Sequence, residues 1–250
     1  MAEVDVLILG GTWSSDGDPV TEAFSTALDP IWFRPRMVAY PADYGRQISY
    51  AASRTAGMNA LAREVAASPN RVVIVGYSQG AGIAGDFAAE VGTGFYPGLR
   101  AKVAACGLIA DPLRPHRTAL GADPGGYGIL GQRSIPHIPT YWVAAERDPI
   151  TSLPAGSPLR SVADLTEYWC LASPGAFLKW GQSVVDRANR PAGWQRWWHS
   201  TGRKHVVDTV DWTRGYLVDG RHTTAYVAEG HCAALAEAVA REVNIPVFSA

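Results

Sequence analysis

The apolar residues of this chain fall into short blocks separated by polar turns, and the blocks are of two kinds. Val4–Leu9, Val72–Val75 and Lys102–Ile109 are near-continuous apolar runs, the pattern of strands buried on both faces. Arg36–Tyr40, ending at Pro41, and Thr140–Ala145 read as two further strands. Between them, Tyr50–Ala67 carries Ala51, Met58, Leu61 and Val65 at helix-compatible spacing, and Ala81–Glu90 is a small-residue helical stretch. Tyr226–Val243 reads as one last helix with an alanine-rich face. Strands alternating with helices predict an α/β fold, a mainly parallel sheet flanked by helices on both faces. Ligands of such sheets bind at the carboxyl ends of the strands. Gly10-Gly11-Thr12, Ser78, Asp111 and Asp148 all fall at that edge of the predicted sheet.

Two segments interrupt the alternation. Residues 113–138 are rich in Gly and Pro and read as a long loop, of a length that is usually functional or mobile. Residues 153–215 hold Trp169, Trp180, Trp194, Trp197, Trp198 and Trp212, six of the nine tryptophans. They read as a helical insertion or cap within a single domain spanning 1–250. Those tryptophans are either the insertion's own core or an apolar surface for a lipid.

Composition narrows the function. At 47% hydrophobic and 18% charged, the 250 residues are those of a globular chain. A net charge of −1 without a basic run argues against a nucleic-acid partner. The three cysteines, Cys106, Cys170 and Cys232, form no C-x-x-C pair, and His231-Cys232 lacks metal-ligand spacing to another cluster. The expectation is therefore no metal and no cofactor. Glu3 and Asp5 stand where a signal peptide needs positive charge, and no segment approaches 18 apolar residues. Synthesis in a cytoplasm, with any export by another route, is the corresponding expectation.

The chemistry centres on Gly76-Tyr77-Ser78-Gln79-Gly80, a G-x-S-x-G motif between a buried strand and a helix. In that context the motif is a nucleophile elbow. The serine sits on a sharp, strained turn with its hydroxyl clear of the sheet, and the glycines avoid collisions around it. A serine needs a histidine to take its proton and a carboxylate to orient that histidine, here in the chain order Ser, acid, His. Asp148, in Arg147-Asp148-Pro149 after the second strand past Ser78, is the favoured acid; Asp111 and Glu146 are the alternatives. His222, in a loop before the last helix, is the favoured base, ahead of His199, His205 and His231. The oxyanion hole needs two backbone N–H groups. Gln79, after the nucleophile, supplies one; Thr12 is the choice for the other, with Trp13 behind it.

Together, Gly11-Thr12, Tyr40-Pro41-Ala42, Gly76-Tyr77-Ser78-Gln79-Gly80, Asp111-Pro112 with Arg114, and His222 before Tyr226 resemble the cutinase-like α/β hydrolases. Within that superfamily the chain is most similar to the lysin B enzymes of phages that infect mycobacteria, over most of residues 4–150 and 216–243. The resemblance implies an α/β-hydrolase fold with a helical insertion between Asp148 and His222. It further implies a monomeric serine esterase that needs no cofactor and cuts the ester between mycolic acids and arabinogalactan. Such an enzyme would act at the host cell envelope once lysis begins, in peripheral contact with the outer lipid layer. Three alternatives differ in their chemistry. They are a general cutinase or lipase-type carboxylesterase on short-chain or lipid esters, an acyltransferase, and a non-catalytic envelope-binding module.

Overall fold

The computed structural model describes residues 4–14, 16–157, 159–160 and 220–244. Five strands form one sheet: β1 (Val4–Leu9), β2 (Phe33–Met37), β3 (Arg71–Tyr77), β4 (Val103–Ile109) and β5 (Thr140–Val143). Their order is β2-β1-β3-β4-β5, and every neighbouring pair is parallel. The described helices are α1 (Pro19–Thr26), α2 (Tyr50–Ala67), α3 (Gln79–Thr93), α4 (Thr224–Ala228) and α5 (His231–Glu242).

Strand alternation divides the core into two layers. Val6, Ile8, Val73 and Val75 point to one face and pack with Phe24 of α1 and Leu235 and Val239 of α5. Leu7, Leu9, Val72 and Ile74 point to the other and pack with Leu61 and Val65 of α2 and Ile83 and Phe87 of α3. The central strands are apolar on both sides because helices cover both sides. This is the mainly parallel, helix-flanked sheet that the alternation predicts.

The chain leaves β1 for β2 on one side and then crosses to β3 on the other. The strand order therefore reverses between β1 and β3, which opens a crevice at their carboxyl ends. Leu9 is paired with Gly76 there, so Gly10-Gly11-Thr12 and Tyr77-Ser78 leave the sheet side by side.

Several boundaries differ from the sequence reading. The second strand is Phe33–Met37 rather than Arg36–Tyr40. Phe33, buried opposite Val4, sets the register, and the Pro35 it includes is tolerated because β2 is an edge strand. Helix α1 adds an element to the predicted set, and its start carries full signals. Asp18 accepts from Val20 N and Thr21 N, Thr21 returns the capping box, and Pro19 opens the helix. The predicted last helix is split in two before Gly230, which caps the start of α5 with a φ of +76°.

The Gly/Pro-rich loop is packed and anchored. Arg114, with no exposure to water, donates to the carbonyls of Thr151 (2.9 Å), Gly125 (2.6 Å) and Gly126 (3.3 Å) and pairs with Asp123. Arg160, equally buried, donates to the carbonyls of Tyr127, Gly128, Leu153 and Pro154 and stacks over the Tyr127 ring. Buried guanidinium groups need such acceptors to offset their lost hydration. The two arginines thereby staple residues 113–128 to residues 151–154. Of the helical insertion assigned to 153–215, all but its first residues lie outside those described. The six tryptophans, Cys170, His199 and His205 lie outside as well.

The approach of α3 to β1 generates a prediction. A Cβ on Gly80 would stand 2.2 Å from the Leu9 carbonyl oxygen, whereas one on Gly230 meets nothing within 4 Å. Gly80→Ala should cost about 3 kcal/mol or more through backbone displacement. Gly230→Ala should cost about 1–2 kcal/mol for its left-handed backbone alone. Urea unfolding midpoints rank the two; equal losses would contradict the close approach.

Candidate active site

Ser78 occupies the turn between β3 and α3 with φ 55° and ψ −117°. A non-glycine residue there is strained by about 1–3 kcal/mol and persists only where the surroundings enforce it. The enforcement is visible. Ser78 N donates to Ile109 O on β4, Ser78 O receives Gly82 N, and Gly80 lies against the end of β1.

The structure brings Ser78, His222 and Asp148 into one hydrogen-bonded chain. Ser78 Oγ is 2.9 Å from His222 Nε2, and His222 Nδ1 is 3.0 and 3.1 Å from the two carboxylate oxygens of Asp148. His222 and Asp148 are buried, while Ser78 is partly open. A carboxylate at Nδ1 selects the tautomer with its proton there. Nε2 is left as an acceptor aimed at the serine hydroxyl.

Each member is held from behind. Asp148 Oδ1 receives Ile150 N at 2.9 Å, and the turn after it is closed by Ser152, which donates its amide to Asp148 O and its hydroxyl to Ala145 O. His222 lies in the turn before α4. Tyr77 donates to the His222 carbonyl at 2.6 Å and stacks on its ring with centroids 5.4 Å apart. Tyr226 of α4, completely buried, donates to Asp148 Oδ2 at 2.6 Å. Neither tyrosine was singled out for a role in the site from sequence.

The alternative acids have other occupations. Asp111 is buried against Arg133 (2.6 Å), Trp142 Nε1 (2.9 Å) and Leu113 N (3.0 Å), as part of a cluster that also joins Arg133 to Asp86. Glu146 is exposed. His231 opens α5, 3.4 Å from Glu229 and beside the Tyr226 ring.

Gln79 is the first residue of α3, so its amide is among the N-terminal donors that have no acceptor within the helix. The helix dipole adds positive potential at the same point. Thr12 lines the same cleft as Ser78. The amide of Trp13 is engaged with Ala42 O at 2.6 Å, so of those two neighbours Thr12 remains the candidate donor. The strand-end loop is braced by Tyr40, which donates to Gly10 O, and by Asp18, which accepts from Gly11 N. Behind α3, the Gln79 side chain donates to Asp43 O. The Asp43 carboxylate in turn gathers the amides of Tyr44, Arg46, Gln47 and Ile48.

The triad opens into a cleft of about 1060 Å³. Trp13, Tyr44, Ile129, Leu130, Leu159 and Val227 are among its walls, which are mainly apolar. Among the described residues no group of His, Cys, Asp and Glu side chains is placed to hold a metal ion. No described helix is long and apolar enough to cross a membrane.

No protein-family model and no curated protein matches the chain. Among solved structures it is similar to a cutinase-like protein from Cryptococcus sp. (19% identity, TM-score 0.48, 60% of this chain and 79% of that one). It is similar also to an acetyl xylan esterase (20%, 0.46, 74% and 95%). Lysin B from Mycobacteriophage D29 is a third (16%, 0.48, 91% and 91%). The chain's own parallel sheet, its strand-order reversal and the Ser78 turn define an α/β-hydrolase fold.

The two aspartates should separate by substitution. Asp148→Asn should leave folding intact and lower turnover by about 10⁴-fold, because the amide presents the wrong partner to His222. Asp111→Asn should destabilise by about 3 kcal/mol, because Arg133 loses a charged partner in the interior. Turnover of its folded fraction should stay near that of the wild type. Ester hydrolysis measured beside denaturant unfolding distinguishes them; the opposite pattern would move the acid to Asp111.

Proposed function

We propose that this protein is a serine hydrolase that cleaves carboxylic esters of lipids through an acyl-enzyme. The observation that carries the reading is the continuous chain from Ser78 through His222 to Asp148, with the serine facing a large apolar cleft. In the first half-reaction Ser78 Oγ attacks the ester carbonyl carbon while His222 Nε2 takes the hydroxyl proton. The carbonyl oxygen becomes an oxyanion held by the amides of Gln79 and Thr12. Asp148 keeps the imidazolium in place and offsets its charge. Collapse of the tetrahedral intermediate breaks the bond to the alcohol, whose oxygen receives the proton from His222. In the second half, water gives a proton to His222 and attacks the acyl carbon. The acid departs and Ser78 regains its proton.

The cleft bears on the substrate. About 1060 Å³ lies at the upper end of small-molecule pockets, far more than an acetyl group fills and suited to a long acyl chain. The finer reading is that the acyl group is a mycolic acid and the alcohol is arabinogalactan. Its support is the similarity of the motifs to lysin B enzymes together with this apolar volume. The enzyme would then act at a mycobacterial-type cell envelope.

A fluorophosphonate probe should label the wild type at Ser78, and Ser78→Ala should lose labelling and turnover while keeping its unfolding midpoint. Across nitrophenyl esters, kcat/KM should rise from acetyl to long acyl chains, and purified mycolyl-arabinogalactan should release mycolic acid. Labelling elsewhere would overturn the nucleophile. A preference for acetyl esters would overturn the lipid reading. Absence of mycolic acid release, with long-chain activity intact, would leave a general lipid esterase.

A further inference from the structure

The Asp148 carboxylate has a partner whose proton position the geometry decides. Tyr226 Oη lies 2.6 Å from Asp148 Oδ2 and 3.2 Å from Ala145 N. A peptide N–H can only donate, so it occupies a lone pair of the phenol oxygen. The single phenol proton is therefore directed to the carboxylate. Tyr226 has no exposure to water, and its ring is fixed edge-on to Tyr77 at 6.4 Å, the same ring on which His222 is stacked. Burial, and after it the negative charge of Asp148, push the Tyr226 phenol well above its ordinary range, so it keeps its proton under all working conditions.

We propose that Tyr226 is a positioning residue of the triad, a fourth member that sets both the orientation of Asp148 and the strength with which it holds the protonated form of His222. This rests on the reading of Ser78, His222 and Asp148 as a catalytic triad. A short hydrogen bond to an ionised acceptor draws charge toward the donor. With the phenol present, part of the Asp148 charge is directed away from His222. Without it, more of that charge faces the imidazole, the imidazolium is better stabilised, and proton loss from His222 requires higher pH. The carboxylate also loses one of the three donors that fix its plane; His222 Nδ1 and Ile150 N remain. The groups facing this pair are Asp148 from the turn after β5, Tyr77 from β3 and Arg114 from the loop after β4. Arg221 precedes Tyr226 on its own segment and is itself paired with Glu229, and His231 of α5 lies beside the Tyr226 ring. None of these except Asp148 shares a hydrogen bond with the phenol oxygen among the described contacts; removing that oxygen also takes the acceptor from the Ala145 amide, which leaves the charges around His222 unchanged.

The test is the pH dependence of the second-order rate of fluorophosphonate labelling at Ser78, which needs no natural substrate. Tyr226→Phe keeps the ring and removes one oxygen. Its acid limb should move up by about 0.5–1 pH unit, and its plateau rate should fall about tenfold. Site-specific replacement of Tyr226 by 3-fluorotyrosine keeps the fold and makes the phenol a stronger donor, so its acid limb should move down. This second variant decides the matter if Tyr226→Phe does not fold. Limbs that coincide with the wild type in the folded variants would overturn the role of Tyr226 while leaving the hydrolase intact. A wild type that does not label would overturn the hydrolase reading itself, and this one with it.

Discussion

Asp148 is a carboxylate with no access to water, and a charge in that position is stable only when donors replace its hydration. Much of the architecture at the carboxyl edge of the sheet supplies those donors. The turn 148–152 folds back so that Ile150 N reaches one oxygen, and α4 brings Tyr226 to the other. The preceding turn sets His222 across both. Arg114 fastens Thr151 from beneath, and Tyr77 fastens the His222 backbone. The histidine is thus oriented by groups from β3, the turn after β5 and the segment leading into α4, which are far apart in sequence.

A second set of constraints acts on the serine. Its positive φ is tolerable because the flanking glycines let α3 start against the end of β1, and that contact exists because the strand order reverses there. The same reversal puts the Thr12 loop beside the first turn of α3. One topological fact therefore places a strained hydroxyl, a helix N-terminus and a second backbone donor around one point in space. Part of the cleft's apolar wall, Ile129, Leu130 and Ile150, comes from segments that packing alone would leave variable, the loop after β4 and the turn after Asp148. The two buried arginines hold those walls by their carbonyls.

The sheet and the serine turn were legible because each rests on local pattern. Runs such as Val72–Val75 need covering on both faces wherever they occur, and Gly76-Tyr77-Ser78-Gln79-Gly80 states its own backbone geometry. What failed to show locally depends on contacts across the chain. Asp111 and Asp148 are both pre-proline aspartates after strands; strand count favours Asp148, but the contacts that hold each in its place, Arg133 on the one and Tyr226 on the other, are stated by no local spacing. The edge strand β2 lies upstream of the apolar residues 38–40 because its register comes from Phe33 against Val4. Helix α1 carried a legible capping signal at Asp18-Pro19-Val20-Thr21 that a search for apolar periodicity passes over. The break at Gly230 was legible only as a glycine, since helix-compatible residues lie on both sides of it, Tyr226–Glu229 before and an alanine-rich stretch after.

A crystal structure of the protein inactivated by an alkyl phosphonate tests the central claim most directly, since the adduct mimics the tetrahedral intermediate. The account predicts phosphorus bonded to Ser78 Oγ. Its phosphoryl oxygen should lie within hydrogen-bond distance of the amides of Gln79 and Thr12, with His222 still bridging to Asp148 and the alkyl chain along the apolar cleft. Phosphorus on another residue, or a phosphoryl oxygen turned away from those two amides, would contradict it.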